Sequence, residues 1–261
     1  MQRNLKMILK NNFLYKYLKH RENIGRIKQW SSDDDKRFEF YKEFIKPGDL
    51  VFDVGANIGN RTKIFLKLQA KVVAFEPQKI CAEFLMSAFK KEKNFSLVQK
   101  ALGLKEGNAL MHVGDEHTIS TLSADWIEAT KRSGRFSKNT WDKSESVSIT
   151  TLDNSIIKFG MPSFIKIDVE GYEYEVLLGI SSPVDCISIE FAAENVENSF
   201  KCVDYLNSLS GMIFQFSKAE EAGFYFREWM LKDQLKRNLN ELIEKDPLIW
   251  GDIYIKKIRK N

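Results

Sequence analysis

The chain is poor in the residues that staple small secreted folds together. Its three cysteines, Cys81, Cys186 and Cys202, are widely spaced and odd in number, which argues against a disulfide framework or a zinc site. They are expected to be reduced residues in or near the core of a cytoplasmic protein. No apolar run reaches the roughly 18 residues that a membrane span needs. The first residues, MQRNLKMILKNNFLYKYLKHREN, are basic but lack a sustained apolar stretch and a small-residue cleavage site, so no secretory signal is expected. A net charge of +4 is too mild to imply nucleic acid as a partner, and no nucleic-acid-binding module is recognisable. What remains is an ordinary globular composition. With 43% hydrophobic residues in a chain of 261, one α/β domain with additions can fill a core.

The most informative stretch is residues 50–77. A short apolar run, Leu50 to Val54, breaks at Gly55, and Gly59 lets the backbone turn tightly into a helix from about Asn60 to Leu68. A second apolar run, Lys71 to Phe75, delivers Glu76 at its carboxyl end, the edge at which open α/β sheets bind ligands. The turn Asp53-Val54-Gly55-Ala56-Asn57-Ile58-Gly59 lacks the GxGxxG spacing of a dinucleotide site. It also carries an acid just before its first glycine, which would repel a pyrophosphate but suits a ligand with an ammonium or a sulfonium. S-adenosylmethionine has both, and its ribose diol needs an acceptor such as Glu76. Hydrogen bonds to a charged group contribute about 1.5–3 kcal/mol each, so a bidentate Glu76 would be a main anchor. The bland alternative is a strand–turn–helix with a loop acid.

Further along, residues 163–179 (SFIKIDVEGYEYEVLLG) read as a short strand ending in Asp168, a turn at Gly171 and a helix. Residues 185–191 (DCISIEF) read as another strand carrying Glu190 near its end. Together with VFDVGANIGNRT, AFEP and KALG, these segments resemble the FkbM family of S-adenosylmethionine-dependent methyltransferases over roughly residues 45–216. The resemblance implies a Rossmann-like class I methyltransferase fold: a mixed, mostly parallel sheet with helices on both faces. It implies cofactor contacts from Asp53, Gly55, Ala56, Asn57, Gly59, Asn60 and Glu76, with the backbone near Ala101 bordering the adenine. Met212–Phe216 and Asp252–Lys257 would then be antiparallel terminal strands.

Methyl transfer from a sulfonium is an in-line displacement with a neutral leaving group, so no acid is needed, while an alcohol nucleophile gains from a base. Asp168 and Glu190, at the ends of adjacent strands, are the catalytic candidates, with Asp168 as base or orienter of the hydroxyl. Its alternative is the N-cap of the helix near Gly171. Glu170 reads as a cap or turn support, and Lys166 as the partner of a neighbouring acid. A divalent ion shared by Asp168 and Glu190 lacks a third clear ligand, so no metal is expected. His112 and His117 are weaker candidates for a base.

A domain from 47 to 261 would follow an N-terminal helical extension, 1–46. Between Arg3 and Lys28 basic residues crowd a segment with Leu5, Ile8, Leu9, Phe13, Leu14 and Leu18 at helical spacing. A helix packed on the domain is preferred over one resting on anionic lipid, so any membrane contact would be peripheral. Asp33 to Asp35 read as the cap of a second helix, Lys36 to Ile45. Within the domain, a helix over about Ile80 to Glu92, a strand Phe95 to Gln99 and a hairpin of Ala109–Val113 with Val147–Thr150 are expected. A polar loop, 114–145, and a helical insertion, 217–249, with a helix from about Arg227 to Lys245, are additions near the substrate side.

These readings lead to an O-methyltransferase using S-adenosylmethionine, with a sugar, glycan or natural-product hydroxyl as acceptor. The alternatives are an N- or RNA methyltransferase, a scaffold that has kept the fold without its chemistry, and, opposed by the glycine spacing, an NAD-dependent oxidoreductase.

Overall fold

A computed structural model describes Gly25, Ile27 and residues 29–258. The basic amphipathic segment at the N-terminus therefore lies almost wholly outside the described residues. In chain order the elements are α1 (Ser32–Tyr41), β1 (Leu50–Val54), α2 (Asn60–Lys67), β2 (Lys71–Phe75), α3 (Lys79–Phe89), β3 (Phe95–Val98), β4 (Ala101–Leu102) and β5 (Gly107–Val113). Then follow α4 (Ala124–Ser133), β6 (Lys143–Thr150), α5 (Leu152–Phe159), β7 (Phe164–Ile167), α6 (Glu173–Leu177), β8 (Cys186–Ala192), α7 (Val196–Leu209), β9 (Met212–Lys218), α8 (Lys232–Lys245) and β10 (Trp250–Lys257).

Seven strands form one sheet in the order β3-β2-β1-β7-β8-β10-β9. All neighbours up to β8 pair in parallel, and β10 is antiparallel to both β8 and β9. From β1 the chain builds outward through β2 and β3, then returns to pair β7 on the other side of β1. That reversal opens a crevice beyond the carboxyl ends of β1 and β7, where such sheets bind ligands. The two-sided burial of parallel strands explains their continuous apolar runs. One face packs Phe52, Val54, Ile165, Ile167, Ile189 and Phe216 against the α5–α8 side. The other packs Val51, Phe164 and Tyr254 against Phe40 and Tyr41 of α1 and Phe65 of α2. Helix α1 is thus built into the core by its aromatic side.

Several local expectations need correcting. Helix α1 starts at Ser32, and its cap is Ser31, whose hydroxyl accepts from the Asp34 backbone while the Asp34 carboxylate accepts from the Ser31 backbone. A capping box satisfies two of the free amide groups at a helix start, which three successive aspartates do not by themselves accomplish. The stretch 114–145 is not a plain loop: it holds a 3-10 turn at His117–Ile119, helix α4 and the beginning of β6. Trp126 and Ile127 of α4 are buried with Ile119, and this apolar anchor was hidden by the polar residues around it. β5 and β6 pair antiparallel as expected, but with β4 they make a separate three-stranded sheet. Helix α8 begins at Lys232; Trp229 and Met230 precede it, and Met230 pairs with Phe214 at the sheet edge. The side chains of Leu235, Leu239 and Leu242 are buried on the core, which makes α8 a packing helix.

Candidate active site

The glycine turn after β1 is shaped by close approach as much as by dihedral freedom. Gly55 has φ +76°, and a Cβ there would lie 1.8 Å from the Asp168 carbonyl oxygen. The turns after β1 and β7 therefore touch backbone to backbone, and only glycine permits it. Gly59, with φ +100°, caps α2, and a Cβ there would meet the Phe89 ring at 2.5 Å. Asn57 also takes a left-handed conformation, φ +51°, and both ends of its side chain are engaged: Oδ1 accepts from the Ile58 backbone, and Nδ2 donates to the His117 carbonyl at 3.1 Å.

Glu76 braces this turn from the neighbouring strand. Its two carboxylate oxygens accept from the backbone N–H groups of Asn57 and Gln78, each at 2.8 Å. Burial pushes the Glu76 carboxyl up to about 7 despite those two bonds. Asp53, on β1, accepts from Thr62 Oγ1 at 2.5 Å, and burial likewise raises its carboxyl to about 6. These side chains, with Gly55, Ala56, Asn57, Asn60 and Ala101, line one cavity of about 460 Å³. Gly59 lies behind the wall, as the hinge of the turn.

Asp168 and Glu190 line the same cavity. Asp168 Oδ2 accepts from the Lys166 ammonium at 3.1 Å, and Lys166 also reaches Asp252 Oδ1 at 3.3 Å. Burial works against the Lys166 charge, but Asp168 and Asp252 outweigh it and hold the ammonium well above its ordinary range. Asp168 is not the cap of the following helix. α6 starts at Glu173 with Tyr172 as its cap residue, and no side chain caps it. The turn is held instead by Glu173, whose Oε1 accepts from the backbone of Val169 and Gly171.

Glu170 is not the support that its place in the turn suggests. It sits at φ +56°, its carbonyl accepts from Thr121 Oγ1 at 2.6 Å, and its carboxylate turns into the cavity. Asp168, Glu170 and Glu190 each offer an oxygen, and the three lie within 4.8 Å of one another. A third carboxylate thus joins the pair named from the sequence. Burial first, and the neighbouring carboxylates next, hold Glu170 and Glu190 well above the usual carboxylate range. Three acids this close do not all ionise cheaply, so protons or a cation must offset them. His117 lines the cavity, whereas His112 sits on β5 and does not.

Sequence reasoning missed four contributors. Trp126 and Phe136 come from the 114–145 segment, and Trp250 from the start of β10. Glu220, beyond β9, pairs with Arg61 on the first turn of α2 and accepts from Arg37 Nη2 of α1 at 3.1 Å. Isolated charges in a polar segment carry no periodic signal, and only the fold brings them to the crevice.

The order of the sheet, the glycine turn and the carboxylate on the second strand agree with a sequence comparison. The methyltransferase FkbM domain family matches residues 53–232, more than half of the chain. The chain belongs to the FkbM methyltransferase family. It is an S-adenosylmethionine-dependent methyltransferase with a Rossmann-like fold. No curated protein sequence matches this FkbM methyltransferase. Among solved structures it resembles the precorrin-6y C5,15-methyltransferase from Geobacter metallireducens, with 11% identity, a TM-score of 0.45, and coverage of 88% of this chain and 93% of that one. An rRNA methylase from Streptococcus thermophilus aligns at 10% identity and TM-score 0.42, over 88% and 99% of the two chains. A TehB-like SAM-dependent methyltransferase from Corynebacterium glutamicum aligns at 8% and 0.43, over 93% and 97%. The family assignment rests on the sequence match rather than on these distant likenesses. Among the described residues no helix is long and apolar enough to cross a membrane.

Proposed function

We propose that this FkbM methyltransferase transfers the methyl group to oxygen, on a hydroxyl of a sugar, glycan or natural-product acceptor. The observation that carries the reading is the Asp168–Lys166–Asp252 ion-pair chain at the carboxyl end of β7 and the amino end of the antiparallel β10, opening on the cavity. Lys166 engages Oδ2 of Asp168, while Oδ1 has no partner among the described residues. A carboxylate with a free oxygen is what an incoming hydroxyl needs: it accepts the O–H and takes the proton as the new C–O bond forms.

The cofactor residues fit S-adenosylmethionine. Glu76 keeps acceptor capacity on both oxygens beyond its two backbone bonds and would take the ribose hydroxyls. Asp53, buried at the end of β1, favours the cationic amino-acid end, and Gly55 lets the backbone approach closely. Ala56, Asn57, Gly59 and Asn60 complete that turn, and Ala101 would border the adenine. When bound, S-adenosylmethionine supplies a methyl group on a positive sulfur. Holding acceptor oxygen, methyl and sulfur in line supplies about 7–11 kcal/mol of the barrier by itself. Trp126, Phe136 and Trp250 offer flat apolar walls for the acceptor's C–H faces.

A phosphate-bearing acceptor such as RNA is disfavoured. The acceptor side carries the Asp168, Glu170 and Glu190 carboxylates, and Arg135 there is already bound by both oxygens of Glu194. Acids clustered there, charged or protonated, supply no cation to pair a phosphate. The test is incubation with methyl-labelled S-adenosylmethionine and a panel of hydroxylated glycosides and polyols, alongside tRNA and rRNA. Label recovered as an O-methyl ether supports the reading. Label found only on nitrogen or only in RNA sinks it.

A further inference from the structure

S-adenosylmethionine ends in an amino acid, with an ammonium and a carboxylate on one carbon. The cavity is rich in acids that suit the ammonium, so its basic lining residues determine where the carboxylate goes. Four such residues line it: Arg61, Lys100, Arg135 and Lys166. Arg135 is consumed by Glu194 and the Leu248 carbonyl, and Lys166 by Asp168 and Asp252. Lys100 follows β3, two strands away from β1, on the Ala101 side of the cavity.

Arg61 is placed differently. It lies on the first turn of α2, two residues after Gly59, where the backbone N–H groups of a helix start also favour an anion. One nitrogen, Nη2, donates to Glu220; Nε makes no hydrogen bond, and Nη1 has no partner among the described residues. Nη1 and the second Nη2 hydrogen form the fork that a carboxylate fits. Glu220 is itself held from behind by Arg37 of α1, which lies outside the cavity lining.

We infer that Arg61 anchors the α-carboxylate of S-adenosylmethionine, with Glu220 and Arg37 as positioning residues that hold its guanidinium at the turn. The inference rests on the cofactor arrangement proposed above and extends it to a residue beyond the glycine turn. It joins α1, the segment after β9 and the cofactor helix into one device. A brace that merely ties α2 to the 219–223 segment would support every cofactor fragment alike, whereas a carboxylate anchor acts only on ligands that have the carboxylate.

The discriminating pair of probes is S-adenosylhomocysteine, which has the amino acid, and 5′-methylthioadenosine, which lacks it. Calorimetry on the full chain should show Arg61→Gln losing S-adenosylhomocysteine affinity by about tenfold or more, with 5′-methylthioadenosine changed by less than about twofold. Arg61→Lys, which keeps the charge without the fork, should fall between. Arg37→Gln guards against a folding defect at the cavity and should lose about two- to fivefold for S-adenosylhomocysteine alone. Equal losses for both ligands, or an unchanged S-adenosylhomocysteine affinity in Arg61→Gln, overturn the anchor. An unchanged affinity in Arg37→Gln overturns the positioning role. Failure confined to these variants removes only this inference; if Glu76→Ala also binds normally, the cofactor arrangement itself is wrong.

Discussion

Glu76, at the end of β2, accepts the backbone N–H of Asn57 in the turn that follows β1, at 2.8 Å. The residue that would hold the ribose is therefore also the residue that shapes the glycine turn. Replacing it should affect both. Glu76→Ala is expected to weaken S-adenosylmethionine binding by more than about tenfold while leaving a folded protein, since each charged hydrogen bond contributes about 1.5–3 kcal/mol. Calorimetry beside a circular-dichroism melt measures the two effects separately, and unchanged affinity would remove Glu76 from the site.

The same carboxylate makes binding pH-dependent. Burial holds Glu76 at about 7, against 4.5 for an exposed glutamate. An acid raised in the folded state stabilises that state fully below 4.5 and loses the contribution as pH rises through about 7. The melting temperature of the unliganded wild type, relative to Glu76→Gln, should accordingly fall between pH 5 and 7.5. Cofactor binding runs the other way, because the ribose needs the ionised form. S-adenosylhomocysteine binding near pH 6.5 should release protons, read as a dependence of calorimetric heat on buffer ionisation, and Glu76→Gln should abolish the release.

Asp168 and Lys166 should act on turnover rather than on cofactor binding. Asp168→Asn keeps the shape and removes the base, so turnover is expected to fall by about 10²–10⁴ with cofactor affinity nearly unchanged. Lys166→Met leaves Asp168 and Asp252 without their shared cation, and should lower turnover with cofactor affinity nearly unchanged. A parallel loss of turnover and cofactor affinity in Asp168→Asn would make it a binding residue.

Gly55→Ala tests the contact between the two turns. A Cβ at that position would lie 1.8 Å from the Asp168 carbonyl oxygen, on a backbone with φ +76°. The dihedral alone costs about 1–3 kcal/mol, and the clash adds to it. A clear drop in melting temperature with loss of cofactor binding is expected; wild-type behaviour would mean that the two turns are free to separate.

Helix α8 provides a control. Leu235 and Leu239 are fully buried against the sheet. Leu239→Ala should cost about 2–5 kcal/mol in denaturant unfolding while leaving S-adenosylhomocysteine affinity unchanged below the transition. A change in affinity without a change in stability would show that α8 acts on the site and is not simply a packing helix.

What the sequence determined by itself is local. The β1–turn–α2–β2 unit, the carboxylate at the end of β2 and the strand that delivers Asp168 are legible because apolar runs, glycines and a terminal acid all lie within one short window. The pairing of β5 with β6 was legible from two short apolar runs on either side of the 114–145 segment. The tertiary structure alone decided the rest. Glu220 reaches Arg61 across 159 positions of chain, Glu170 turns its carboxylate toward Asp168 and Glu190, and Trp126 is buried inside a segment whose composition reads as a loop. Each depends on which strand lies beside which, and sheet order is set by packing and loop closure across the whole chain. Periodicity within a window has no access to it.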